Sequence, residues 1–195
     1  MTGEMKRFGR GILWTGLLTL ATACGGGAGA KSASPSGGAH GLIRKKAPGF
    51  TLQRTKGGPF KPSEAEGKVL VLDFWATWCV PCKASFPKLD AIYRKYKGTG
   101  LELIGVNEDE SGAKDEIDSF ISDTGATFPI ILDSKQKVAE KYGVEAMPST
   151  IVIDKKGVVR FVHDGSHGDE DKIIEKEVKK LLADDGEEEA GGAEE

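Results

Sequence analysis

The 195-residue chain is 38% hydrophobic and 29% charged, a balance that suits one well-buried domain with appendages. A formal net charge of −3 removes any electrostatic reason to expect nucleic acid as a partner. The charge is uneven. Lys6, Arg7 and Arg10 face a lone Glu4 in the first ten residues, whereas the last twelve hold seven acids and no base.

The chain opens as an export signal. The basic start MTGEMKRFGR precedes an apolar run over residues 12–23, and Ala21-Thr22-Ala23 supplies the small residues that cleavage requires. A spanning helix needs about 20 apolar residues, so this run is short for a permanent anchor. A signal peptide is therefore expected over residues 1–23. Cys24 follows directly, and LATAC resembles the lipobox of bacterial lipoproteins, in which the cysteine is lipidated. That pattern usually has Leu three before the cysteine; here Ala21 stands there and Leu20 lies one further back. Ordinary cleavage after Ala23 is the competing reading, and it would leave Cys24 as an exposed thiol prone to oxidation.

GGGAGAKSASPSGGAHG, residues 25–41, cannot bury enough apolar surface to offset its ordering entropy. A flexible tether is expected over 24–45, then a folded domain over 46–184. KVLVLDFW at 68–75 is a nearly continuous apolar run, as in a strand buried on both faces. Phe86, Leu89, Ile92, Tyr93 and Tyr96 recur at helical spacing over 80–97, with Pro87 expected to kink the helix. LELIGV at 101–106 reads as a second buried strand. Ile117, Phe120 and Ile121 mark an amphipathic helix over 114–124.

A short strand at 129–132 and a short helix at 135–142 come next. STIVIDKKGVVRFVH reads as a hairpin turning at 154–157. A last helix over 169–182 puts Ile173, Ile174, Val178, Leu181 and Leu182 on one face. Strands alternating with helices, then a hairpin, predict an α/β fold with a mixed central sheet. The acidic tail at 185–195 is expected to be solvated and disordered.

Cys79 and Cys82 could hold a metal, staple the fold or carry electrons. A structural zinc site needs four ligands, and no second C-x-x-C is present. His163 and His167 form an H-x3-H pair, but about 80 residues beyond Cys82, against the roughly 12–15 of a compact zinc module. So small a disulfide ring stabilises little by the chain-entropy argument. Redox chemistry fits better, because the pair falls where a strand hands over to a helix N-terminus. Backbone N–H groups and the helix dipole there favour a thiolate at Cys79. Cys82, one turn further in, would resolve the mixed disulfide, and Pro81 costs little in a first helical turn. Asp73 shares alternation parity with Val71 and Trp75, so it should face the core. Burial would raise its pKa and make it a proton acceptor for Cys82; a satisfied structural carboxylate is the equal alternative.

The run Asp73-Phe74-Trp75-Ala76, then Trp78-Cys79-Val80-Pro81-Cys82-Lys83, resembles the thioredoxin superfamily. The likeness extends over about 47–182 and is nearest the TlpA/ResA-like extracytoplasmic thiol–disulfide oxidoreductases. It implies a thioredoxin fold, with APGFTLQRTKGGPF as an extra N-terminal hairpin and a helix inserted within 107–128. Met147-Pro148 matches the family's cis-proline, whose preceding backbone pairs with an extended substrate segment. Trp78, Val80, Pro81, Met147 and Pro148 are the substrate-facing residues so implied. The resemblance further implies a monomer with no cofactor or bound metal, acting on disulfide-containing exported proteins. A membrane electron donor of the DsbD/CcdA kind would re-reduce it, and a lipid anchor would hold it to a membrane on the periplasmic or cell-surface side. Cytochrome-maturation members often carry a glutamate where Ser85 stands, which makes a haem-apoprotein substrate doubtful. Two alternatives share the scaffold: a thiol peroxidase, although Ala76 replaces the Thr or Ser needed three before the cysteine, and a copper chaperone using Cys79, Cys82 and His163.

Overall fold

The computed structural model describes residues 38–184. The export signal, Cys24 and the acidic tail lie outside the described residues. Among those described, one mixed sheet runs in the order β2-β1-β5-β4-β3-β6-β7. Its strands are β1 Leu52–Arg54, β2 Pro59–Phe60, β3 Val69–Trp75, β4 Leu101–Asn107, β5 Ile130–Leu132, β6 Ser149–Ile153 and β7 Val159–Asp164. The helices are α1 Val80–Tyr96, α2 Lys114–Thr124, α3 Lys137–Tyr142 and α4 Glu170–Ala183. β3, β4 and β5 are parallel, while β6, β7 and the β1–β2 hairpin pair antiparallel. This is the α/β architecture predicted from the sequence, with the hairpin and the inserted helix in place.

β3 lies inside the sheet and every one of its residues is buried. Side chains alternate across a strand, so Val69, Val71 and Trp75 enter one core and Leu70, Leu72 and Phe74 the other. The first core takes Cys82, Phe86 and Leu89 from α1, Phe120 from α2, and Ile174 and Val178 from α4. The second takes Val138, Ala139 and Tyr142 from α3, together with Phe60. Trp75, Phe86 and Phe120 pack with ring centroids 4.4–5.0 Å apart, each pair adding about 1 kcal/mol beyond its buried area. Gly105 on β4 makes room for this cluster. A Cβ there would lie 2.6 Å from Ile130 Cδ1 and 3.0 Å from Trp75 Nε1.

Three expectations are corrected. The tether does not reach residue 45, because Gly38–Leu42 forms a 3-10 turn that buries Ala39 and Leu42 in the second core. The last helix turns Ile174, Val178 and Leu181 inward, but Ile173 is 47% exposed. Adjacent helical residues stand about 100° apart, so Ile173 falls at the edge of the inward stripe that Ile174 centres. The short strand and short helix begin at Ile130 and Lys137, one and two residues later than read. α1 runs through Pro87 as a single helix.

Candidate active site

β3 ends at Trp75, and a short turn delivers Cys79 to the N-cap of α1. Cys79 Sγ accepts a hydrogen bond from the Cys82 backbone N–H at 3.2 Å, and the two cysteines form a disulfide with Cα atoms 5.3 Å apart. Pro81 sits in the first turn, where it displaces no helical hydrogen bond. Both cysteines are buried, beneath neighbours that are not: Trp78 is 66% exposed and Val80 81%. The disulfide therefore lies at the foot of an apolar rim.

The turn carrying Trp78 is tied from below. Thr77 donates to Asp109 through its backbone N–H and its hydroxyl, each at 2.9 Å. Asn107 Nδ2 donates to the same carboxylate at 2.7 Å. In register Trp75 pairs with Asn107, so the end of β4 braces the end of β3. Sequence reasoning missed Asp109 and Asn107, since nothing local distinguishes them; the available signal was polar residues ending an apolar strand.

The Met147–Pro148 peptide bond is cis, as the resemblance implied. It immediately precedes β6, whose Ser149 and Thr150 pair with Phe74 and Asp73. Pro148 is thereby brought beside the end of β3. Met147 is half-buried and packs against the core that contains both cysteines.

Asp73 is wholly buried on the face it shares with Trp75. Its Oδ1 accepts from the Thr150 hydroxyl at 2.8 Å, while Oδ2 has no hydrogen-bond partner. Burial pushes its pKa up to about 7; the Thr150 bond opposes this and the charge of Glu170 adds to it. A cavity of about 50 Å³ lies against Asp73 and is lined also by Ser85, Leu89, Pro148, Thr150 and Glu170. Ser85 Oγ donates back to the Cys82 carbonyl at 3.1 Å, so the cavity adjoins the helical turn that follows Cys82.

The histidines stand apart from the thiols. His163 Nε2 meets Glu177 Oε2 at 2.7 Å, and His167 contacts the Asp164 carbonyl. Burial pulls the His163 pKa down, but the Glu177 hydrogen bond and the charges of Glu177, Glu170 and Asp164 together outweigh it, leaving a net rise. Among the described residues, no three His, Cys, Asp or Glu side chains converge as a metal site needs.

Fold and site together define a thiol–disulfide oxidoreductase built on the thioredoxin fold. The profile of the AhpC/TSA family matches residues 43–162, and the chain belongs to that family. It is 36% identical over 139 residues to the thiol-disulfide oxidoreductase ResA of Geobacillus kaustophilus (strain HTA426), covering 71% of this chain and 78% of that protein. It is 38% identical over 120 residues to ResA of Bacillus subtilis (strain 168), covering 62% of this chain and 66% of that one. A Chlorobium tepidum structure assigned as the thiol:disulfide interchange protein DsbE superposes with a TM-score of 0.66 at 35% identity, covering 70% of this chain and 95% of that one. Ala76 stands three before Cys79, where the thiol-peroxidase alternative needs Thr or Ser.

Proposed function

We propose that the protein is an exported reductant of protein disulfides, with Cys79 as attacking thiol and Cys82 as resolving thiol. The observation that carries this is the position of Cys79. Its sulfur caps α1 and accepts the Cys82 N–H, where helix dipole and N–H groups stabilise a thiolate. In the reduced protein the Cys79 thiolate attacks one sulfur of a substrate disulfide, and the other substrate sulfur leaves as a thiolate. Cys82 gives its proton to Asp73 and attacks Cys79 Sγ. The Cys79–substrate bond breaks, the second substrate thiolate departs, and the enzyme is left as its disulfide. Two electrons pass from dithiol to substrate.

The exposed Trp78, Val80 and Pro81, taken together with Met147 and Pro148, would seat an extended peptide laid beside the disulfide, with the Met147 backbone as its hydrogen-bonding edge. Export rests on the signal expected over residues 1–23, with lipidation at Cys24 as the anchor of a monomeric protein. Among the described residues no helix is long and apolar enough to cross a membrane. An oxidising compartment requires a membrane donor of the DsbD/CcdA kind to restore the dithiol. Ser85 favours general protein substrates over haem apoproteins. The test is trapping: Cys82→Ser should accumulate a dithiothreitol-sensitive mixed disulfide through Cys79, and Cys79→Ser should accumulate none. A mixed disulfide formed through Cys82 instead would overturn the assignment. Mass spectrometry of the mature N-terminus checks lipidation, which an unmodified Cys24 would rule out.

A further inference from the structure

Two carboxyl groups meet in the cavity at the floor of this site, and only one belongs to the C-x-x-C neighbourhood. Asp73 Oδ2 and Glu170 Oε1 are both buried without a hydrogen-bond partner, and both residues line the same space of about 50 Å³. Asp73 is wholly enclosed, whereas Glu170, the first residue of α4, is half-buried. Two ionised carboxylates so placed would each leave one buried oxygen without a donor and would repel one another. Sharing one proton between them relieves both penalties. A water needs about 10–15 Å³ of such volume, so the space admits bridging water.

Most neighbouring polar groups are engaged elsewhere. Thr150 occupies the other oxygen of Asp73. Lys88 of α1 lines the cavity, but its Nζ is directed to Asp171 Oδ1 and the Gly168 carbonyl. On β7, His163 is bound to Glu177 and Asp164 accepts from Ser149. The His167 backbone and the two imidazoles favour ionised Glu170, and burial opposes them with the larger effect.

We propose that Glu170 is a proton-relay residue, which passes to solvent the proton that Asp73 takes from Cys82. The proposal rests on Asp73 being the acceptor for Cys82. As the Cys82 sulfur closes its bond to Cys79, the proton held on Asp73 crosses the cavity to the Glu170 carboxylate. It then leaves to bulk water, where it can protonate the departing substrate thiolate. Disulfide reduction takes up on the substrate the protons that the dithiol loses, so no further reactant is needed. Asp73, sealed by β6 and α1, has no exposed oxygen from which to shed a proton directly.

The experiment follows release of a chromogenic aromatic thiol from its mixed disulfide with Cys79, from pH 5 to 9 at several imidazole concentrations. Wild-type release should rise with pH as Asp73 ionises and should not depend on buffer concentration. Glu170→Gln should lower the plateau, by less than the roughly 10²-fold that losing a directly acting proton-transfer group costs. It should also move the rising limb to lower pH, because a negative neighbour of Asp73 is gone, and make the rate climb with imidazole. Glu170→Asp, which keeps a carboxyl, should recover part of the plateau and guards against a disturbed helix start. Glu175→Gln, one charge removed further along α4, should match wild type. If Asp73→Asn is slow while Glu170→Gln keeps the wild-type plateau and buffer independence, the relay is wrong and the Asp73 assignment stands. If Asp73→Asn releases thiol at the wild-type rate, both fall.

Discussion

On one face of β3, Leu70, Leu72 and Phe74 pack into a core that is apolar throughout, closed by α3 and the Gly38–Leu42 turn. On the other face, Asp73 stands between Val71 and Trp75, in the row that leads to the disulfide. Both rows are equally buried and lie on the same strand, so the backbone does not explain the difference. The apolar face serves stability alone. The other face keeps a buried ionisable group at a cost to stability, and the proposed mechanism gives that group a use as the proton acceptor for Cys82.

That contrast can be broken from either side. Phe74→Ala on the apolar face should cost about 3–5 kcal/mol, as large aromatic truncations in cores do. Chemical denaturation would show the loss, while the folded fraction keeps its disulfide-exchange rate. Asp73→Asn should act in the opposite sense. The rise of the Asp73 pKa from 3.8 to about 7 corresponds to up to about 4 kcal/mol once the group is ionised. Native protein binds more protons than unfolded chain between those two values, so wild-type stability falls as pH climbs from 4 to 7. The variant should therefore be more stable than wild type at pH 8 and nearly equal to it at pH 4, while resolving mixed disulfides more slowly. Thermal unfolding at the two pH values checks this, and equal gains at both would contradict it.

A smaller effect separates β7 from the site. His163 carries a raised pKa through Glu177, so their pairing stabilises the fold below the ordinary histidine value near 6.5 and is lost as pH rises through the folded value. Glu177→Gln should cost at most about 1 kcal/mol at pH 5 and nothing measurable at pH 9. Disulfide exchange should be unchanged. A histidine-dependent rate or a Cu(I) affinity lost in His163→Ala would instead revive the copper-chaperone alternative.

Much of this comparison was legible before the structure. The apolar run marked β3 as a buried strand, and period-2 alternation alone put Asp73 on the Trp75 face. The partners of Asp73 were not legible. Thr150 lies 77 positions away and is joined to it only by the pairing of β3 with β6. Glu170 is more distant still, in a helix start that reads as an ordinary acidic first turn. Asp109 was hidden in the same way, since its role depends on parallel register rather than on spacing to the cysteines. The early start of the fold escaped notice because Ala39 and Leu42 are two small anchors in a stretch whose composition is otherwise that of a linker.

The reductant assignment is tested most directly by the reduction potential of the Cys79–Cys82 pair, measured by equilibration against dithiothreitol redox buffers. A reductant should give a value near the thioredoxin figure of about −270 mV, and a value near about −120 mV, that of a strong oxidant, would contradict the assignment.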